Sequence, residues 1–420
     1  MPRPSEPHIR PATILVDAQL QKTPAAEHRA SIQELRQLVE TLGWEIVSTL
    51  AQKRESLTSA SLIGPGKLEE LVALVKGPRP AESVVFDHEL TPTQVRTIRD
   101  ATGVEVYDRP AVILEIFHRH ARTKEARLQV ELARLTYLSP RERVEGAKER
   151  TGGGRGARGA GESYHEIKRR EVRDRVGELQ GEIEAVHREQ IERRRHREGM
   201  PKVAIVGYTN AGKSSLMRAL TSSDVLVANQ LFATLDTTIR ALHPETEPRI
   251  LVSDTVGFIR NLPHDLVASF RSTLDEALDA SLLLHIVDAS DPAFRSHIQV
   301  TKEVLDSIGA GQLPSLLILN KIDAVDAPQR ALLKQEFPDA IATSALDPHD
   351  IEALHARLVR FFLETMVQAE VVVPYGKESV LADLRASLHV LSESYGEKGA
   401  SLTIKATPGT VAALKLRLVS

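Results

Sequence analysis

Residues 202–221 read KVAIVGYTNAGKSSLMRALT, and this stretch decides the architecture of the chain. KVAIVG is a short apolar run suited to a buried parallel strand, and SSLMRALT reads as a helix. Between them stands the glycine-rich turn Gly207-Tyr208-Thr209-Asn210-Ala211-Gly212-Lys213-Ser214, with Ser215 directly behind it. A turn of this kind aims main-chain N–H groups and a helix N-terminus at an anion. Gly207 and Gly212 let the backbone approach phosphates closely, Lys213 reaches their oxygens, and the Ser214 hydroxyl suits Mg²⁺. A structural glycine turn would give the same pattern, so the match alone leaves both readings open.

Four further segments follow in a telling order. They are Phe232-Ala233-Thr234-Leu235-Asp236, Asp254-Thr255-Val256-Gly257, Asn320-Lys321-Ile322-Asp323 and Ser344-Ala345-Leu346. Together with the glycine turn they reproduce the order and spacing of the nucleotide contacts of a regulatory GTPase. Asp254 ends the strand-like RILVSD and is placed to hold a metal through water, while the Gly257 amide is placed to sense a γ-phosphate. Thr234 falls where a switch threonine completes the Mg²⁺ shell, with Thr237 and Thr238 as close competitors. Asp323 can accept from both the ring N–H and the exocyclic amine of guanine, whereas adenine would leave that carboxylate unpaired. GTP or GDP with Mg²⁺ is therefore the expected ligand set.

Lys213 and Gly257 are the expected catalytic elements, because Phe258 stands where many GTPases carry a water-orienting glutamine. A phenyl ring cannot hydrogen-bond water. One reading is that the isolated protein hydrolyses GTP slowly and takes its polar group from elsewhere in the chain, a K⁺ ion or a partner. The other is that Phe258 is an ordinary core residue beside an intact site.

Composition bounds the rest. A chain of 420 residues exceeds one typical domain, and the total absence of cysteine excludes disulfides, thiolate catalysis and cysteine-based zinc sites. No stretch of eighteen or more apolar residues occurs, and MPRPSEPHIR lacks the apolar core of a secretion signal, so a cytoplasmic protein is expected. A formal net charge of −3 gives no global signal for nucleic acid, so any basic footprint must be local. The histidines are scattered without metal-ligand pairing.

The expected fold class is α/β in four parts. Residues 1–110 alternate strand and helix signals (TILVDA, HRASIQELRQLVETLG, WEIVSTLAQ, SVVFD, VEVYD), which predicts a small parallel α/β domain. Within it LIGPGK is a glycine turn that could hold a phosphate or simply start a helix. Residues 111–199 read as a long antiparallel helical hairpin, with Leu128, Leu132, Leu135 and Leu138 facing Val176, Leu179, Ile183 and Val186 in a two-helix seam. Its glycine loop, 151–162, carries Arg155 and Arg158, with Lys148 and Arg150 just before. Arginines on a flexible tip suit phosphate backbones, so these four are candidate RNA contacts; a solvated linker is the alternative. The run Arg193 to Arg197 is equally open between a solvated helix end and an RNA contact. Residues 200–366 form the P-loop nucleotide domain, and 367–420 read as a small α+β appendage with a helix expected from Ser379 to Tyr395.

The order of these parts is similar to that of the HflX family of ribosome-associated GTPases. The resemblance is carried by GPGKLEEL (64–71), FDHELTPTQ (86–94), YDRPAVILEIFHRHARTKEARLQVELARL (107–135), the loop GGGRGARGAGE and the nucleotide motifs, so it covers nearly the whole chain. Two departures stand out: Thr237 replaces the family's usual proline after FATLD, and the glycine loop is richer in arginine and alanine. The resemblance implies a GTP-controlled switch whose N-terminal domain and arm contact ribosomal RNA of the large subunit. It also implies ribosome-stimulated hydrolysis and a role in splitting, rescuing or recycling ribosomes under stress. A monomer is expected, with no DNA contact. The alternatives are a GTPase of ribosome assembly or RNA modification, and a GTP-gated protein-binding module that touches no RNA.

Overall fold

The computed structural model describes residues 11–145 except 22, then 164–195, 200–222, 231–232, 238–260 except 256, and 276–376. Beyond these it describes 389–397, 399–406 and positions 380, 381, 384, 385, 411, 414 and 418. By contacts the chain divides into two compact units, the first holding residues 1–184, 230–232 and 261–270, the second the remainder.

The first unit begins with β1 (Ala12–Leu20), α1 (Ala25–Thr41), β2 (Glu45–Arg54), α2 (Pro65–Val75), β3 (Ser83–Phe86), α3 (Pro92–Thr102), β4 (Glu105–Asp108) and α4 (Arg109–His120). The strands form a four-stranded, wholly parallel sheet in the order β2-β1-β3-β4. Ile14, Val16, Val84 and Phe86 of the sheet are buried in one core with Leu71 of α2 and Ile98 of α3. Such a sheet needs both faces covered, which explains the near-continuous apolar runs of β1 and β3. The Gly64 N–H at the head of α2 donates to Gln52 Oε1 (2.8 Å), so the LIGPGK turn starts a helix and its first amide is taken by the neighbouring strand.

The sheet recruits α4, which the sequence reading assigned to the helical arm. Asp108 explains why. Its Oδ1 accepts from the Ala111 N–H (3.0 Å) to cap α4, while Oδ2 accepts from the Leu90 N–H (2.9 Å), the Tyr137 hydroxyl (2.5 Å) and Arg141 (3.0 Å). The next residue, Arg109, is only 1% exposed and pairs with Asp87 (2.8 Å) and Glu34. A buried guanidinium is tolerable only when paired in this way. The DRP segment therefore ties β4, α4 and the following helix into one body.

That helix is α5 (Lys124–Glu145), and α6 (Tyr164–Arg195) is the second long helix of the arm. Leu128 and Leu179 are buried, but Leu135 and Leu138 border a cavity of about 450 Å³ together with Val172 of α6. An ion pair of Arg175 with Glu131 (2.9 Å) spans the two helices. The tip residues Lys148, Arg150, Arg155 and Arg158 lie outside the described residues.

The second unit contains β5 (Lys202–Gly207), α7 (Lys213–Thr221), β6 (Thr238–Ala241), β7 (Leu251–Asp254), β8 (Leu282–Asp288), α8 (Phe294–Ser307), β9 (Ser315–Asn320), α9 (Ala327–Glu336), β10 (Ile341–Ala342) and α10 (Pro348–Thr365). Its six-stranded sheet runs β10-β9-β8-β5-β7-β6, and only β6 is antiparallel to its neighbour. β5 is central, with Val203, Ala204, Ile205 and Val206 fully buried, so the glycine turn leaves the sheet from its most rigid strand.

A three-stranded antiparallel sheet follows, in the order β11-β13-β12, from β11 (Val367–Val373), β12 (His389–Gly396) and β13 (Gly399–Ala406). Here the sequence expectation is corrected: the helix foreseen from Ser379 to Tyr395 gives way to strand over His389–Gly396. Cross-strand pairing with β13, whose Leu402 and Ile404 are fully buried, outweighs the local helical spacing of a short segment.

Candidate nucleotide site

Among the described residues, the glycine turn, Asp254, Gly257 and the NKID segment lie at the carboxyl ends of β5, β7 and β9, where ligands bind in open α/β sheets. Gly207 ends β5 at φ +150, and a Cβ there would lie 2.2 Å from the Ile286 carbonyl oxygen of β8. Gly212 holds φ +92 at the start of α7, and a Cβ there would meet Asn320 Nδ2 at 2.2 Å. Neither position admits a side chain, so both glycines are demanded by packing as well as by turn geometry.

Asn320 organises the far wall. Its Nδ2 donates to the Ala211 carbonyl (2.8 Å) and its Oδ1 accepts from the Ala345 N–H (3.3 Å). The Ser344 N–H is held by Asp350 Oδ2 (2.7 Å), while Leu346 is 81% exposed. Lys321 lies across the glycine turn, donating to the Asn210 carbonyl (2.9 Å) and to Asp288 Oδ2 (2.7 Å). Asp323 is exposed two residues on. Asp288 and Asp350 were missed by motif reading. Asp288 ends β8 in VDAS, and its place at the end of an apolar strand was the available signal.

At the phosphate end Lys213 is buried, with Nζ donating to the Tyr208 carbonyl (2.7 Å). Burial pushes its pKa down to about 8, against the opposing pull of Asp254. The Ser214 hydroxyl donates to Asp254 Oδ2 (2.8 Å), and Thr255 donates to the Ile205 carbonyl (2.7 Å). Asp254 and Thr255 have no exposed surface. Gly257 abuts Lys213: a Cβ there would lie 2.9 Å from Nζ.

The segment after Gly257 is bound to the glycine turn through the main chain. Phe258 N–H donates to the Gly207 carbonyl (3.1 Å), and Thr209 N–H donates to the Phe258 carbonyl (2.7 Å). Phe258 is 2% exposed, so its side chain is a core residue and brings no polar group to the site. Of FATLD only Phe232 is described. It groups with the first unit, its ring packing edge-on against Phe117 of α4 (centroids 4.6 Å apart) and its carbonyl accepting from His120 Nδ1 (2.9 Å). Ala233, Thr234, Leu235, Asp236 and Val256 lie outside the described residues.

Ser214 and Asp254 are hard oxygen donors, the class Mg²⁺ selects. Among the described residues no group of three or more His, Cys, Asp or Glu could cage a metal by itself.

Residues 202–321 match a family described as "50S ribosome-binding GTPase", residues 29–118 one described as "GTP-binding GTPase N-terminal", and residues 120–197 its "Middle Region". The chain is 49% identical to the GTPase HflX of Gluconacetobacter diazotrophicus over 98% of both proteins. The chain belongs to the HflX family of GTPases. A second HflX relative, from Caldanaerobacter subterraneus, is 41% identical over 91% of this chain and 88% of its own. Among solved structures, a GTP-binding protein of Sulfolobus solfataricus in complex with GDP is 26% identical, covering 83% of this chain and 99% of its own with a TM-score of 0.46. As an HflX-family GTPase the chain binds GTP and GDP and hydrolyses GTP. No described helix is long and apolar enough to cross a membrane.

Proposed function

We propose that this HflX-family GTPase uses GTP binding and hydrolysis to control attachment to the large ribosomal subunit, and that it splits, rescues or recycles ribosomes under stress in the cytoplasm. The supporting observation is the match of residues 202–321 to a 50S ribosome-binding GTPase family, together with full-length HflX relatives. The first unit and the helical arm are the ribosome-facing parts in this reading, with Arg155, Arg158, Lys148 and Arg150 reaching ribosomal RNA phosphates.

In the nucleotide site, Gly207 to Ser215 wrap the phosphates, Lys213 neutralises the terminal oxygens, and Asn320, Asp323 and Ala345 frame guanine. Mg²⁺, held by Ser214, Thr234 and, through water, Asp254, would offset charge building on the phosphates during transfer. With Phe258 buried and apolar, hydrolysis by the isolated protein is slow and the ribosome completes the catalytic arrangement.

The test is steady-state GTP hydrolysis with and without purified large subunits at two salt concentrations. Salt-sensitive stimulation is expected, because contacts that neutralise several phosphates weaken steeply with ionic strength. Replacing both Arg155 and Arg158 with alanine should weaken subunit binding and leave GDP affinity unchanged. Undiminished subunit binding by that variant would remove the loop from the interface.

A further inference from the structure

The cavity bordered by Leu135 and Leu138 belongs neither to the nucleotide site nor to the proposed RNA contacts. Its volume, about 450 Å³, falls in the range of small-molecule sites, roughly 300–1,000 Å³. Helices α4, α5 and α6 all contribute walls. On α5 the lining extends from Arg127 to Leu138, which spans about 16 Å at a rise of about 1.5 Å per residue. Arg127, Glu131, Arg134 and Leu138 recur there at spacings of four, three and four, which places them on one face of the helix.

The lining mixes two chemistries. Val130, Leu135, Leu138 and Val172 are apolar, whereas Arg127 and Arg134 bring positive charge. The lining carboxylate, Glu131, is already taken by Arg175 of α6, accepting from its Nε (3.0 Å) and from a terminal nitrogen (2.9 Å). Glu115 stands 3.7 Å from Arg134, too far for a hydrogen bond, and accepts instead from Arg119 Nε (3.0 Å). Arg127 gives its Nε to the Ala121 carbonyl (3.3 Å), and its terminal nitrogens make no hydrogen bond among the described residues. Both guanidinium groups therefore keep charge and N–H donors in reserve. Leu135 and Leu138 follow the arginines along α5, so a charged stretch leads into an apolar one.

We propose that this cavity binds a small amphipathic anion, an elongated apolar body ending in one carboxylate. The body lies against Leu135, Leu138 and Val172, where it leaves water, and the carboxylate meets the guanidinium groups of Arg127 and Arg134, whose planar forks match its two oxygens. A cation of the same length would face the two arginines and find Glu131 already paired. Because the walls come from α5 and α6 together, an occupant braces the two long helices against each other and stabilises the folded chain by linkage.

Isothermal titration of the full-length protein with hexanoate, octanoate and decanoate, and with octyltrimethylammonium as the cation of matching chain length, tests this. One-to-one binding is expected, with affinity rising about fourfold for each added methylene until the cavity is full. Octyltrimethylammonium should bind at least about tenfold more weakly than octanoate, and replacing both Arg127 and Arg134 with methionine should erase that preference. Val172→Trp, which occupies part of the space, should end the rise at a shorter chain while leaving GDP affinity unchanged. Absence of saturable binding at millimolar carboxylate would overturn the proposal. Equal affinity for the two head groups would do the same, as would a chain-length limit that Val172→Trp leaves where it was.

Discussion

Asn320 sits so close to Gly212 that a single Cβ on the glycine would stand 2.2 Å from its Nδ2 atom. The first and fourth nucleotide motifs, more than a hundred residues apart in sequence, are therefore one packed object. The Asn320 amide ties them further through the Ala211 carbonyl (2.8 Å). In the proposed nucleotide site this is the wall that base and phosphate would share, so disturbance of one side should reach the other.

Gly212→Ala tests this directly. The substitution meets both a positive φ of +92 and the Asn320 amide, and each is destabilising. We expect GDP affinity to fall by at least about a hundredfold, with stability lowered by about 2 kcal/mol or more. Isothermal titration and urea unfolding measure the two effects. Near-native GDP binding would contradict the packing described above.

Lys213 makes nucleotide binding dependent on pH. Burial lowers its pKa to about 8, and bound phosphates favour the charged form, so binding above pH 8 must take up a proton. Affinity for GDP should be level below pH 8 and then fall by up to about tenfold per pH unit. The dependence should vanish in Lys213→Met, whose affinity is low throughout. A flat profile for the unmodified protein up to pH 9.5 would sink this account.

His285, on the central strand β8, points the other way. Burial, reinforced by Lys302, lowers its pKa to about 4 from an ordinary 6.5. The folded state thus holds it neutral while the unfolded chain protonates, so stability is intact above pH 6.5 and is lost as pH falls toward 4. At about 1.4 kcal/mol per pH unit the loss approaches about 3 kcal/mol. His285→Leu should flatten this acid limb, as seen by comparing urea midpoints at pH 7 and pH 5. Parallel losses in the two proteins would clear His285 of the effect.

Asp108 is the structural keystone of the first unit. Asp108→Ala strips partners from the α4 terminus, the Leu90 amide, Tyr137 and Arg141 at once. Breaking such a buried pair from one side costs about 3–5 kcal/mol. The variant should show an earlier unfolding transition and faster proteolysis in α4 and α5, with GDP affinity preserved. An unchanged thermal midpoint would show that the remaining contacts suffice.

Asp323→Asn should exchange base preference. A carboxylate accepts the two guanine donors, whereas an amide offers one donor and one acceptor and matches the N–H and 2-oxo edge of xanthine. GDP affinity should drop at least about a hundredfold while xanthosine diphosphate gains. Competition between the two nucleotides for the variant provides the measurement, and retained guanine preference would take Asp323 out of the base pocket.

Most of the candidate nucleotide site was read from the sequence because the chemistry it proposes is local. A glycine turn needs Gly207 and Gly212 within six residues, and DTVG and NKID each sit at a strand end where the apolar run stops. Partners brought in by the sheet, such as Asp288 for Lys321 and Asp350 for Ser344, left no local trace. The C-terminal strand His389–Gly396 was misread for the same reason, since its conformation comes from a partner strand. In the arm, leucines at helical spacing predicted a two-helix seam; Leu128 and Leu179 are buried, and Leu135 and Leu138 border a cavity.

The sequence by itself determined the order of strands and helices as far as the nucleotide domain, the GTPase chemistry and the family, because those depend on residue types at short fixed spacings. Tertiary structure alone decided that α4 packs with the N-terminal sheet, that Arg109 is buried against Asp87 and Glu34, and that Phe258 is a core residue. It alone fastened Phe258 to the glycine turn through main-chain bonds. These are relations between distant segments, whose energies come from burial and pairing across the fold and are written in no single stretch of the chain.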